Sequence, residues 1–163
     1  MIRPAVMEDY SAIQKIFEAA REFMRTHGNP TPWGTTSPEE ELWLEDIRRG
    51  DLYVVEKNGG VHGVFALIFG EDPTYSYIEG GEWRSDAPYA TLHRVASDGQ
   101  YRGMFEECAA FSKSKYSHLR IDTHADNLPM QHLAEKHGFV YCGVIYVHNG
   151  TSPRKAYEYI AEE

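Results

Sequence analysis

The sequence predicts a single α/β (α+β) domain in which helices flank a mixed central β-sheet. Segments with helical periodicity and segments rich in strand-forming residues follow one another in the order β-α-α-β-β-β-α-β-α-β-β, which suits a mixed sheet rather than a regular doubly wound one. The chain has 163 residues, the length of one domain. It contains neither an internal repeat nor a Gly/Ser-rich linker. We therefore expect one domain over residues 1–163.

The first third of the chain predicts two helices joined by a loop. Apolar residues recur at steps of three and four over residues 8–26, which indicates an amphipathic helix. Residues 27–38 are rich in glycine and proline and predict a loop. Ser37 followed by Pro38 predicts the N-cap and the first residue of a second helix, which ends at Gly50.

The rest of the chain predicts strands, turns and two further helices. β-Branched and aromatic residues on both sides of Asn58-Gly59-Gly60 predict a hairpin. After a polar turn, helices are expected through about Tyr116 and from Asn127 to His137. The predicted extended segments are residues 51–57, 61–70, 75–79, 90–97 and 118–123, and a terminal hairpin of residues 139–147 and 154–160 around Asn149-Gly150.

Composition limits the classes of partner. The chain carries 25 acidic and 16 basic side chains, a formal net charge of −9. Because a phosphate backbone or an anionic membrane would on average be repelled, neither a nucleic acid nor a membrane is an expected partner. Locally acidic stretches of the chain would favour cationic ligands. The alternative interpretation is that they form solvated faces of a helix or loop.

We expect a cytoplasmic protein. The N-terminus lacks a basic start followed by an apolar run, and no stretch approaches the ~18 apolar residues of a membrane span. The two cysteines, Cys108 and Cys142, lie in apolar surroundings and form no C-x-x-C pair. They are therefore interpreted as buried thiols in a reducing compartment.

Three stretches resemble the GNAT superfamily of acyl-CoA N-acyltransferases, and the likeness covers nearly the whole chain. LHRVASDGQYRGM, at residues 92–104, is similar to the family's central strand and pyrophosphate loop. LRIDTHADNLPMQHL, at residues 119–133, resembles the next strand and helix, and KHGFVYCGVIY, at residues 136–146, resembles the Gly-Phe turn and final hairpin. The resemblance implies transfer of an acetyl, or another acyl, group from acetyl-CoA to a primary amine of a small molecule or peptide by direct attack.

The resemblance also implies where acetyl-CoA binds. In the family two neighbouring strands separate at one end, and the acyl-CoA arm hydrogen-bonds there like an added strand. Val95 and Ser97 would supply the main-chain groups, and the Val95 N–H would bind the thioester oxygen. Asn127 would contact the cofactor, although N-capping alone also explains it. The pyrophosphate loop and helix start correspond to Gln100, Tyr101, Arg102, Gly103, Met104 and Phe105.

Three features depart from the family pattern. Phe105 stands where the pyrophosphate motif has a small residue, and Glu106 and Glu107 would repel a diphosphate at the helix start. Ala134 stands where many members have a tyrosine that protonates the leaving thiolate. These features predict weakened cofactor binding and leave a second hypothesis open, a catalytically silent acyl-CoA or ligand-binding module. An interaction domain that uses its acidic surface is a third.

The candidate catalytic residues are Glu79, His93 and His124. Acyl transfer needs a neutral amine and a route for its proton. We place Glu79 first, on the strand before the separation, because a carboxylate can also hold an ammonium group. Solvent exposure for Glu79 and a structural hydrogen bond for His93 are the alternatives. His124 lies between Asp122 and Asp126, but this spacing matches no established metal site, so no metal is expected.

The acceptor cannot be chosen from the sequence, since loops form that pocket in the family. Trp33, in the loop between the first two helices, is a candidate for ligand contact or for packing. Exposed terminal strands leave a homodimer open.

Overall fold

A computed structural model describes residues 1–26, 38–147 and 150–162. The predictions for Trp33, Ser37 and Asn149 lie outside these ranges. The chain divides into two compact units, Met1–Leu67 with His93–Cys108, and Ile68–Leu92 with Ala109–Glu163. That residues 1–163 form a single domain stays a prediction.

A seven-stranded mixed sheet confirms the predicted fold class. Its order is β1-β2-β3-β4-β5-β7-β6, and the β4–β5 pair is parallel whereas β1–β2, β2–β3, β5–β7 and β6–β7 are antiparallel. The strands are β1 (Ile2–Pro4), β2 (Leu52–Lys57), β3 (Gly60–Phe69), β4 (Ala90–Ser97), β5 (His118–Thr123), β6 (Val140–Val147) and β7 (Ser152–Ile160).

The helices also follow the predicted order along the chain. They are α1 (Tyr10–Thr26), α2 (Glu40–Arg49), α3 (Met104–Lys115) and α4 (Leu128–Lys136), with 3₁₀ turns at Met7–Asp9 and Pro73–Tyr75. In α1 the predicted apolar stripe is buried, including Ile13, Ile16 and Phe17. The Phe17 ring lies 6.0 Å from the ring of Trp43 on α2. Helical periodicity therefore identified the packed face of α1.

One predicted helix boundary and one predicted strand are wrong. The helix α2 begins at Glu40 rather than Pro38, and its N-cap, Glu39, makes no side-chain capping bond; its end at Gly50 is confirmed, since Gly50 has a φ of 77°. Residues 75–79 form no strand. Tyr75 is only 2% exposed, and its hydroxyl donates to Asp122 Oδ2 at 2.6 Å, so burial of this ring fixes a 3₁₀ turn in place of a strand.

The hairpin of β2 and β3 forms as predicted, with a tight turn. Asn58 and Gly59 have φ values of 50° and 82°, the left-handed conformations that a two-residue turn requires. The register shifts between Val55 and Glu56, which marks a bulge shortly before the turn.

The cysteines are buried free thiols, as predicted. Burial raises the pKa of Cys142 to about 11 and moves the pKa of Cys108 well above its usual range. Both thiols are therefore protonated at neutral pH and are poor nucleophiles. In the described ranges, no helix combines the length and the apolar composition needed to cross a bilayer.

Candidate functional site

The ladder between β4 and its parallel neighbour β5 ends before either strand does. The ladder of β4 with β5 consists of the pairs Ala90–Leu119 and Thr91–Arg120, although β4 continues to Ser97. In the described chain, six residues of β4, 92–97, therefore follow the last ladder pair. Val95 and Ser97 lie in this stretch and are half-buried. The resemblance implied that two neighbouring strands separate at one end, and the ladder stops early as this implies; the role of Val95 and Ser97 stays a prediction.

Arg94 interrupts the regular backbone of this stretch. Its φ of 55° is left-handed, a conformation that non-glycine residues rarely adopt within a strand. Its guanidinium donates to Asp46 Oδ2 on α2, with Nε at 2.8 Å and Nη2 at 2.7 Å. The two side chains are 14% and 7% exposed. A residue with left-handed backbone therefore directly precedes Val95 in the strand.

A short loop, residues 98–103, joins β4 to α3. Gly99 and Gly103 take left-handed φ values of 79° and 76°. The first turn of the loop is held by side chains: Ser97 Oγ accepts from the Gly99 N–H at 3.3 Å, and Asp98 Oδ1 accepts from the Gln100 N–H at 3.1 Å. Gln100, Arg102 and Gly103 are exposed. The loop therefore offers an exposed guanidinium and open backbone directly before a helix N-terminus.

The first side chains of α3 point into the protein. Met104 and Phe105 are each 6% exposed. Phe105 therefore does not cover the loop, which removes the steric objection raised by the sequence. Only the main chain of these two residues could face a ligand at the helix start.

The hairpin turn contacts this loop and helix at three points that the sequence did not predict. Lys57 Nζ lies 2.5 Å from Glu107 Oε1, and Asn58 Nδ2 donates to the Tyr101 hydroxyl at 2.7 Å. His62 Nδ1 lies 2.6 Å from Asp98 Oδ2. No sequence signal could have identified these contacts, because 36 to 50 residues separate the partners along the chain.

Glu79 lies outside any strand, which corrects its predicted position. It forms an isolated antiparallel bridge, donating its N–H to the Val144 carbonyl at 2.8 Å and accepting from the Val144 N–H at 2.9 Å. Its exposed carboxylate accepts a hydrogen bond from the Tyr77 hydroxyl at 3.1 Å. This bond raises the pKa of Tyr77, and burial together with the Glu79 charge and hydrogen bond raises the pKa of Tyr146. The two rings flank the carboxylate with centroids 6.4 Å apart.

The two histidines occupy different surroundings. His93 is half-buried in β4 next to Arg94. His124 directly follows β5, and its Nδ1 accepts from the Asp126 N–H at 3.0 Å. The same Nδ1 lies 3.5 Å from Asp126 Oδ2. In the described ranges no hydrogen bond or ion pair joins His124 to Glu79, and no group of three His, Cys, Asp or Glu side chains could hold a metal ion.

Comparison with solved structures identifies the fold. A GNAT-family acetyltransferase from Streptococcus agalactiae matches with a TM-score of 0.88 at 29% identity, over 100% of this chain and 96% of that one. The chain has the GNAT fold. A Staphylococcus aureus protein that carries the name acetyltransferase matches the GNAT fold of this chain with a TM-score of 0.72 at 25% identity, over 99% of both chains. No protein-family model and no curated protein sequence matches the chain.

A further GNAT-like structure contains a ligand. The Salmonella typhimurium protein yncA, solved with its cofactor acetyl-CoA, matches with a TM-score of 0.63 at 16% identity, over 100% of this chain and 94% of that one. At this identity the match shows a likeness of fold and nothing more.

Two positions that the GNAT resemblance singled out have clear local roles. Asn127 caps α4, where its Oδ1 accepts from the Met130 N–H at 3.3 Å, so its capping role is confirmed. Its cofactor contact stays a prediction. Ala134 is fully buried in α4, so this position offers no hydroxyl for a departing thiolate.

Proposed function

We propose that the protein is an N-acetyltransferase that transfers the acetyl group of acetyl-CoA to a primary amine of a small molecule or peptide by direct attack. The observation that carries the proposal is the end of β4 that continues past its ladder with β5 and leads through an exposed glycine-containing loop into the N-terminus of α3. Strand main chain and helix N-terminus are the two groups that a thioester arm with a diphosphate requires. The GNAT fold of the chain supports the same assignment.

The residues of this region fit acetyl-CoA. The main chain of Val95 and Ser97 would pair with the amide groups of the pantetheine arm, since unpaired strand groups need hydrogen-bonding partners. The exposed residues Gln100, Arg102 and Gly103 would hold the diphosphate with backbone N–H groups and a guanidinium. Tyr101, Met104 and Phe105 would contribute main chain at this turn, and Asn127 would approach the cofactor from α4.

The bound thioester supplies an activated acetyl group. A side chain of the protein would accept the proton that the amine loses. Glu79 is our first candidate for the base, because its exposed carboxylate is anchored by the backbone bridge to Val144 and can also hold an ammonium group. The Tyr77 and Tyr146 rings beside it favour a cation. His93 and His124 are the alternative bases. The Val95 N–H would donate to the thioester oxygen as charge develops there.

The proposal also covers the acceptor, the partners, the location and the oligomeric state of the protein. The acceptor would be a cationic amine, and neither a nucleic acid nor a membrane would be a partner of a chain with a net charge of −9. We propose a cytoplasmic location and no metal requirement. The edge strands β1 and β6 leave a homodimer open.

Thiol release from acetyl-CoA in the presence of amino acids, polyamines and peptide N-termini tests the proposal. We expect release that depends on one class of amine. If Glu79 is the base, Glu79→Gln lowers that rate about 100-fold, whereas Glu82→Gln, a nearby exposed carboxylate, leaves it unchanged. Binding of acetyl-CoA with no turnover across the panel would favour the silent module that Ala134 suggests, and no binding at all would refute both.

A further inference from the structure

The stretch from Asp98 to Glu107 is acidic, although the proposed function places a diphosphate there. Besides Asp98 it contains Glu106 and Glu107, and Arg102 is its only basic residue. Carboxylates in the first turn of a helix repel a bound anion. Taken alone, this stretch would be a poor anion site.

The hairpin tip, which we define as Lys57, Asn58 and His62, contacts two of these three carboxylates. Lys57 Nζ lies 2.5 Å from Glu107 Oε1, with the two side chains 28% and 37% exposed. His62 Nδ1 lies 2.6 Å from Asp98 Oδ2, with both side chains 18% exposed. Only Glu106, which is exposed to solvent, has no such contact with the hairpin tip in the described chain.

The same hairpin tip also fixes the loop in space. The His62 carbonyl accepts from the Asp98 N–H at 3.1 Å, and the His62 ring stands edge-on against the Tyr101 ring with centroids 4.8 Å apart. Asn58 Nδ2 donates to the Tyr101 hydroxyl at 2.7 Å. The loop is therefore held at both Asp98 and Tyr101 by one element.

Close packing sets the distance between β3 and the start of α3. A Cβ at Gly63 would lie nearer to Met104 Sδ than two such atoms approach. Met104 is buried and is the first residue of α3. The absence of a side chain at Gly63 thus lets the helix start lie directly against the strand.

We propose that the hairpin tip is a positioning and charge-neutralising element of the acetyl-CoA site, with Lys57 as its main contributor. Lys57 offsets the charge of Glu107, and His62 holds the Asp98 carboxylate within a hydrogen bond. Together they convert an acidic helix start into a site that accepts the diphosphate. This inference rests on the proposed function, and it adds that diphosphate affinity depends on residues of a hairpin outside the loop.

Calorimetry with two probes tests the inference. Acetyl-CoA carries the diphosphate, and S-acetylpantetheine carries the same thioester arm without it. We expect Lys57→Met to weaken acetyl-CoA binding about fivefold to tenfold and to leave S-acetylpantetheine binding within twofold of the wild type. Lys57→Arg should retain the wild-type affinity, since it keeps the charge.

Two further variants separate charge from folding. Lys57→Met/Glu107→Gln should recover the affinity for acetyl-CoA, because it removes the carboxylate that Lys57 had neutralised. Lys115→Met removes one charge from the other end of α3, where Lys115 is exposed, and should leave binding unchanged. Thermal unfolding of each variant confirms that it is folded.

The outcomes distinguish the two proposals. If the wild type binds acetyl-CoA and Lys57→Met binds it equally well, the inference about the hairpin tip is wrong and the proposed function stands. If Lys57→Met weakens both probes equally, the residue supports the fold alone and the inference is also wrong. If the wild type binds no acetyl-CoA, the proposed function fails and the inference fails with it.

Discussion

Tyr75 is a buried residue whose ionisation opposes folding. Its ring is 2% exposed, and its hydroxyl donates to Asp122 Oδ2 at 2.6 Å. Burial is the main cause that raises the pKa of Tyr75 well above 10. The charge of Asp122 is a further cause. The unfolded chain then releases this proton near pH 10 while the folded chain retains it, so the stabilisation is complete below pH 10 and is lost as the pH rises further.

Substitution of Tyr75 therefore has an effect on stability that depends on pH. We predict that Tyr75→Phe lowers the free energy of unfolding by about 1–2 kcal/mol at pH 8, since Asp122 loses a hydrogen-bond donor. Between pH 9 and pH 11 the wild type should lose about 1.4 kcal/mol relative to Tyr75→Phe. Urea unfolding at both pH values measures the difference. A constant or growing advantage of the wild type up to pH 11 would show that this hydroxyl is not the group responsible.

Single residues also mark the limit of what the sequence could predict. Arg94 combines a left-handed backbone with an ion pair to Asp46, which lies 48 residues earlier in the chain. Lys57, Asn58 and His62 are ordinary polar residues of a predicted hairpin, and only the folded structure brings them to the loop. Phe105 was expected to obstruct the loop, but the helical direction of α3 turns it inward. Contacts distant in sequence decide the first two cases, and the direction of the helix decides the third.

At the scale of elements, a buried charged cluster holds the segment that leads into β4. The cluster consists of Glu158, His118 and Arg120, which are 0%, 4% and 5% exposed. Glu158 Oε2 lies 2.7 Å from His118 Nε2 and 3.1 Å from Arg120 Nε. His118 and Arg120 flank Leu119, the β5 partner of Ala90 in the short β4–β5 ladder.

Backbone contacts tie the preceding segment to this cluster. Glu158 Oε1 accepts from the Arg84 N–H at 2.8 Å, and Arg120 Nη2 donates to the Ser85 carbonyl at 2.8 Å. The Arg120 guanidinium lies 4.0 Å from the ring centroids of both Trp83 and Tyr89. The cluster therefore joins residues 83–89 to β5 and β7.

Loss of Glu158 should be costly. Glu158→Gln leaves the buried guanidinium of Arg120 without its counter-charge and changes the hydrogen-bond partner of His118, and we predict a loss of about 3–5 kcal/mol in the free energy of unfolding. Glu135→Gln, at an exposed position of α4, should change it by less than about 0.5 kcal/mol. Denaturant unfolding followed by circular dichroism measures both. Similar values for the two variants would show that the cluster contributes little.

Elements were predicted well where local periodicity determines them. Alternating β-branched residues and helical stripes gave the extent of β4, β5 and α1 closely, and Gly50 and Asn127 marked helix ends correctly. The failures are at the start of α2 and at residues 75–79. Tyr75 belongs to a core cluster with Tyr89, Ile145 and Ala156, a setting that depends on residues distant in the sequence and is not visible in the local pattern.

At the scale of the whole molecule, the order of the sheet could not be derived from periodicity. The insertion of β7 between β5 and β6, and the parallel pairing of β4 with β5, depend on long-range pairing that local patterns do not encode. The resemblance of the stretches at residues 92–104, 119–133 and 136–146 to the GNAT superfamily implied the fold and the separation of two neighbouring strands, but no strand order was predicted from it. The two-pair β4–β5 ladder is the feature that links this topology to the proposed chemistry.

Residue-resolved amide hydrogen exchange with and without acetyl-CoA tests this link most directly. We predict that acetyl-CoA slows exchange at the amides of Val95 and Ser97 and in the loop that begins at Gly99, while β1 and β2 exchange as before. If acetyl-CoA leaves the exchange of Val95 and Ser97 unchanged, or protects amides elsewhere instead, the end of β4 does not receive the thioester arm and the proposed binding mode is contradicted.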